Sequence, residues 1–218
     1  MLRRLATFVG HFTLEAARAV VTSATIGQAL VLGAIDSLVA KSMVVATPVR
    51  PTMRYRLLEI TRAYARGKLA ESGEAEAVAR RHAIYYRDLL QQTDTRSSPH
   101  NRSEKRAALA EHLGNLRAAL EWSLADRGDV ELGIQLAAVS AGLFIELSLL
   151  SEYRSWTEQA LSALEPGMRG SRWEMELQAG LGHCLMYTKG NGDQAQSALE
   201  RGSEIAEALR IESVSYAC

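Results

Sequence analysis

A chain of 218 residues with 47% apolar and 23% charged side chains can bury one or two cores and is too apolar for a disordered polymer. Two cysteines, Cys184 and Cys218, exclude a disulfide framework and point to a reducing, cytoplasmic setting. Net charge is zero, but residues 1–72 carry 10 Lys and Arg against 4 Asp and Glu, and residues 73–218 carry 15 against 21. That asymmetry predicts two modules, and brings nucleic acid or an acidic partner domain into consideration for the first.

In chain order, the spacing predicts a short helix over 2–8, then a helix capped by Thr13 with Leu14, Ala17, Val20 and Val21 at helical intervals. A third helix over 28–41 places Val31, Ile35, Leu38 and Ser42 on one stripe. "MVVA" reads as a strand. Beyond the turn bracketed by Pro48 and Pro51, "TMRYRL" alternates, with Met53, Tyr55 and Leu57 facing one way and Arg54 and Arg56 the other. Three helices followed by a hairpin is the order of a winged helix.

From residue 58 helix follows helix, over about 58–71, 75–93, 104–126, 129–147, 151–164, 171–188 and 193–210, with short connections that favour antiparallel neighbours. The apolar run 135–150 is interrupted by Ser140 and Glu146, so it is expected to be a buried helix and not a membrane span. No targeting signal is expected, because Thr7, His11 and Glu15 interrupt the apolar stretch after "MLRR". In "LGHCLMYTKGNGDQAQSALERG", Leu181 and Gly182 fall at the close-packing points of one helix. Ala195, Leu199 and Gly202 recur at steps of four and three on the next, which is the second-helix pattern of a tetratricopeptide unit. Trp173 stands near the expected aromatic but displaced, and the pair over 129–164, with Trp156 and Ala160, is a weaker copy. The fold expected is therefore mainly α: a winged-helix domain over 1–72 with a small β-hairpin, linking helices over 73–128, and a tetratricopeptide-like antiparallel helical array over 129–218. The ending "IESVSYAC" is apolar where an array normally closes on a polar capping helix, which suggests truncation.

No reaction centre is legible. The five histidines, His11, His82, His100, His112 and His183, fall on separate elements without metal-ligand spacing, and no G-x-S-x-G elbow is present. A phosphate-cradling loop needs G-x-x-x-x-G-K-[ST]; the one Gly-Lys pair, Gly67 and Lys68, precedes Leu69 and has Arg62 where the first glycine belongs. Glu71, Glu74 and Glu76 suit the start of the 75–93 helix and need no catalytic role. Neither enzyme activity, nor cofactor, nor metal, nor membrane attachment is expected.

The phrases "LRRLATFVGHFTLEAA", "AIDSLVAKSMVV", "RYRLLEITRAYARGKLAESGE", "RRHAIYYRDL", "HLGNLRAALEWSL" and "LGHCLMYTKG" resemble the middle of bacterial signal-transducing NTPase regulators of the NB-ARC (STAND) type, often fused to DNA-binding helix-turn-helix domains. The resemblance covers most of residues 2–210. It implies an output domain, a nucleotide-binding domain, a winged helix and a helical-repeat sensor in that order, of which this chain holds the last two. In that family a Met-His-Asp triplet after the second wing strand places its His on the nucleotide's β-phosphate. The corresponding residues here are Leu57, Leu58 and Glu59, and Leu58 cannot donate a hydrogen bond. The resemblance thus implies a degenerate nucleotide sensor, with Glu59 retaining an acidic role by pairing Arg62 at i+3.

A base-reading third helix should offer Arg, Asn, Gln or Lys to base edges. Residues 28–41 offer only Gln28, Asp36, Ser37 and Lys41 outside their apolar stripe, and Asp36 opposes phosphate. The arginines Arg50, Arg54, Arg56, Arg62 and Arg66 are expected to form a solvated face or to dock an acidic domain surface in preference to contacting phosphate. Aromatics on the hairpins, Trp122, Trp156, Trp173, Tyr85, Tyr86, Tyr153 and Tyr187, are expected mostly in inter-helix packing. The function expected is that of a regulatory and sensor portion of such an NTPase regulator. Its partners would be the ATPase domain of a parent or partner chain and an unknown protein or small molecule on the repeats. The alternative is a stand-alone winged-helix DNA-binding transcription factor with a helical dimerisation domain.

Overall fold

A computed structural model of the chain describes residues 1–24, 26–49, 52–94, 102–190 and 192–211. Eleven helices and one hairpin are seen among them: α1 (Leu2–Leu5), α2 (Leu14–Val21), α3 (Gln28–Ala40), β1 (Val44–Val49), β2 (Thr52–Leu57), α4 (Glu59–Glu71), α5 (Ala75–Asp94), α6 (Arg102–Ser123), α7 (Val130–Val139), α8 (Ala141–Glu146), α9 (Leu150–Ser162), α10 (Arg172–Lys189) and α11 (Asp193–Leu209). The molecule is mainly helical, a winged helix followed by a helical array. It divides into two compact units, Met1–Asp88 with Ala110–Ala119, and Leu89–Leu109 with Leu120–Cys218.

In the first unit, Thr13 caps α2 by accepting the Ala16 amide at 3.1 Å, and Ala16, Ala17, Val20 and Val21 turn into the core. On α3 only Val31 and Ile35 are fully buried. Ser42 does not continue that stripe. The helix ends at Ala40, and Ser42 takes φ 54° in a left-handed turn where its amide reaches Val39 O and the Met43 amide reaches Leu38 O. That turn re-aims the chain into β1.

β1 and β2 pair antiparallel from Val44 opposite Leu57 to Val49 opposite Thr52. The alternation places Tyr55 and Leu57 in the core, but Met53, expected beside them, is 40% exposed. It lies opposite Pro48, one pair from the hairpin's end. Phe12 forms a bridge with Tyr55 and stacks on Phe8 with centroids 4.6 Å apart, tying the hairpin to the α1–α2 connection. α1 itself stops at Leu5, short of the expected residue 8, and Leu5 and Phe8 fill the core from helix and connection respectively.

In the second unit, the single helix expected over 129–147 is two. At Ser140 the hydroxyl donates back to Ala137 O at 2.8 Å and the backbone turns, so α7 ends and α8 begins. Asp129 caps α7 through the Leu132 amide, and Ser171 caps α10 through the Glu174 amide. The core is built from Leu136, Phe144, Tyr153, Ala160, Leu177 and Ala195 among others, with Phe144 and Tyr153 rings 5.7 Å apart. α10 packs on α11, α9 and α7. The short connection makes α10 and α11 an antiparallel hairpin.

Candidate functional site

A buried polar cluster organises the winged-helix unit. Asn115 on α6 is fully buried; its Oδ1 accepts the Val9 amide at 2.7 Å and its Nδ2 donates to His11 O at 3.0 Å. The same Oδ1 lies 3.2 Å from His82 Nε2 on α5, so that nitrogen must carry the proton. One side chain thereby satisfies the loop between α1 and α2 and fixes the tautomer of a buried imidazole. Burial lowers the His82 pKa to about 4, opposed in part by the bond to Asn115. Gly114 lets α6 come close, since a Cβ there would sit 2.9 Å from Val9 O.

A second cluster ties α1 to α5. Arg4, 4% exposed, donates to Val21 O and Ser23 Oγ and shares Glu74 with Arg3. Hydrogen bonds from Arg4 and then Arg3 hold the Glu74 carboxyl down at about 2. Glu74 thus clamps α1 at the head of α5, a role beyond the helix-start charge expected from the sequence. Arg81 on α5 donates to Val20 O at 2.8 Å.

The arginines singled out from the sequence do not form one surface. Arg54 is bound to Glu111 on α6 at 2.7 Å, and Arg62 donates to Phe8 O at 3.0 Å and to Glu59 at 3.0 Å. Both are internal fastenings of the unit. Arg56 and Arg66 are exposed and have no ionic partner among the described residues. Arg50 lies outside the described residues. Of the triplet, Leu57 is in the core, Leu58 is 40% exposed at the entry to α4, and Glu59 is turned to solvent on Arg62.

Part of what faces outward on the winged helix is apolar. Leu30 is 66% exposed and Leu32 40% on α3, beside exposed Asp36 and Ser37. On α4, Ile60 is 87% and Tyr64 65% exposed, one turn apart, with Ala63 and Gly67 completing an i, i+3, i+4, i+7 stripe on the solvent side. An Ile so exposed on a regular helix forgoes burial worth about 2 kcal/mol. The sequence places a helix over about 58–71, and the spacing of this stripe is legible in it, but nothing local tells that the stripe stays exposed.

In the helical unit, Gly182 meets Leu199 and Ala195: a Cβ there would lie 2.5 Å from Leu199 Cγ. Gly202 has ordinary room, 3.5 Å to Met175 O and Ala179 N. Leu181 points elsewhere, into a groove shared with Arg154, Gln178 and Arg201. Tyr86 and Tyr153 are core residues, whereas Tyr187 is 55% exposed. Among the described residues no group of His, Cys, Asp or Glu is arranged to hold a metal ion, and no helix is long and apolar enough to cross a membrane. His100 and Cys218 lie outside the described residues.

Residues 1–70 match the winged helix-turn-helix domain family. Over 162 residues the chain is 40% identical to "Putative HTH-type transcriptional regulator Rv0890c" of Mycobacterium tuberculosis (strain ATCC 25618 / H37Rv), covering 74% of this chain and 18% of that protein. The same figures hold for "Putative HTH-type transcriptional regulator Mb0914c" of Mycobacterium bovis. "Uncharacterized protein Rv0894" of M. tuberculosis is 43% identical over 83 residues, 38% of this chain and 21% of its own length. The chain thus spans about a fifth of the length of the curated relatives it matches. No solved structure matches it.

Proposed function

We propose that this chain is the regulatory and sensor portion of a signal-transducing NTPase regulator of the NB-ARC (STAND) type, a cytoplasmic, non-enzymatic module that couples a helical array to an ATPase domain. The observation that carries the proposal is the chemistry of the outward winged-helix faces. α3 presents Leu30, Leu32 and Asp36 where a base reader presents hydrogen-bonding side chains, and α4 presents the Ile60–Tyr64 stripe. Such faces suit docking against a protein domain. Homology to far longer HTH-type regulators supports a module working within a larger assembly.

In this reading Leu58 and Glu59 stand at the nucleotide edge of the interface, and a protein or small molecule taken by the array biases the winged helix toward one docked state. The test is calorimetric binding between the chain and the nucleotide-binding domain of its parent regulator. Association is expected, weakened more than tenfold by Ile60→Asp with Tyr64→Asp. No association, or one indifferent to that pair of changes, contradicts it.

A second reading, a stand-alone DNA-binding factor with a helical dimerisation domain, is favoured by Arg56 and Arg66, which are exposed without ionic partners among the described residues. These can touch phosphate but specify no sequence.

A further inference from the structure

The helical unit carries a surface that its core leaves open. Between the C-terminal part of α10 and the outer side of α11 runs an open groove of about 600 Å3. Its floor is apolar, formed by Met186, 39% exposed, together with Leu199 and Ala195. Its rim is a row of carboxylates, Glu200, Glu204 and Glu207, at steps of four and three along α11. No described basic side chain lines it. Like charges at this spacing repel on a helix. Among the described residues relief is slight: Glu200 takes a Gln196 amide, and Arg201, held by Glu174 at 2.9 Å, reaches Glu204 only at 3.5 Å.

We propose that this groove docks a basic amphipathic α-helix of a partner protein. Its apolar side chains at i, i+3, i+4 and i+7 would seat on Met186 and Leu199, and its Lys or Arg side chains would align with the glutamate row. The stretch from Ala195 to Glu207 is about 18 Å of helix, the length of a three-turn partner laid alongside. The carboxylates exclude nucleic acid and anionic membrane, and their spacing along a helix axis matches cations one turn apart on a facing helix. The inference rests on reading the array as an interaction surface and says nothing of the α4 stripe, so either can fail alone.

The test uses a labelled 14-residue acetylated and amidated peptide of Leu and Lys, with Leu at i, i+3, i+4 and i+7, titrated into the full 218-residue chain by fluorescence anisotropy. A scrambled peptide of the same composition is the control for unspecific attraction. The amphipathic peptide is expected to bind, at least tenfold more weakly to Met186→Asp and to Glu204→Lys, both exposed positions whose change leaves the core intact; circular dichroism verifies this. The scrambled peptide should bind at least tenfold more weakly to the unchanged chain. Equal binding of both peptides, or binding undiminished in both variants, overturns the proposal.

Discussion

His82 Nε2 and Asn115 Oδ1, on two different helices, are joined across 3.2 Å in a fully buried setting, and the same amide holds both ends of the Val9–His11 loop. Residues 33 apart in the chain therefore decide how the first connection of the winged helix is seated.

Removing this amide should be costly. Asn115→Ala leaves the Val9 amide, the His82 Nε2–H and His11 O without partners, and is expected to destabilise the chain by about 3 kcal/mol in urea unfolding at pH 7. Asn115→Asp keeps the acceptor but loses the donor to His11 O and buries a charge, so it should not rescue.

The His82 imidazole gives a pH signature. Its pKa is about 4 in the folded chain and about 6.5 unfolded, so the unfolded state binds the extra proton between those values. The contribution is fully present above pH 6.5 and is lost as pH falls toward 4; at pH 5 the loss is about 2 kcal/mol. Burial lowers His112 and His183 as well and adds in the same direction. Urea titrations at pH 7 and 5 should show the drop, and His82→Gln should reduce it. Glu74, held at about 2 against an ordinary 4.5, adds a second loss between pH 4.5 and 2 that Glu74→Gln should remove.

How much of this was legible in the sequence varies by the range of the interaction. The winged-helix order showed in the Thr13 cap and the alternation of "TMRYRL", because capping and strand periodicity are local. The Arg4–Glu74 clamp, spanning 70 residues, and the Asn115 network have no local signature beyond a polar residue amid apolar helical spacing. Arg54 and Arg62 read as surface charges because sequence does not reveal Glu111 or Phe8 O beside them. Ser140 read as a polar interruption within one helix, because apolar residues continue on both sides of it, and the break it makes depends on its hydroxyl turning back to Ala137 O.

The two glycines assigned to the array's close packing should now behave oppositely. Gly182→Ala drives a methyl into Leu199 and is expected to destabilise by about 1 to 2 kcal/mol, overpacking outweighing helix propensity. Gly202→Ala meets only ordinary contacts and should gain up to about 1 kcal/mol. Parallel urea unfolding curves distinguish the two.

Duplex DNA should bind weakly and without sequence preference. With Arg54 bound to Glu111, Arg54→Ala should lower stability more than DNA affinity, whereas Arg56→Ala should lower affinity alone. The salt dependence should correspond to one or two phosphates, a log–log slope of about −1 to −2.

The most direct measurement is selection of duplexes from a random library by the purified chain, followed by sequencing. A winged helix that docks protein through its outer faces enriches no sequence. Recovery of a defined operator, lost on Gln28→Ala or gaining affinity on Asp36→Asn, would show α3 reading bases and contradict the assignment.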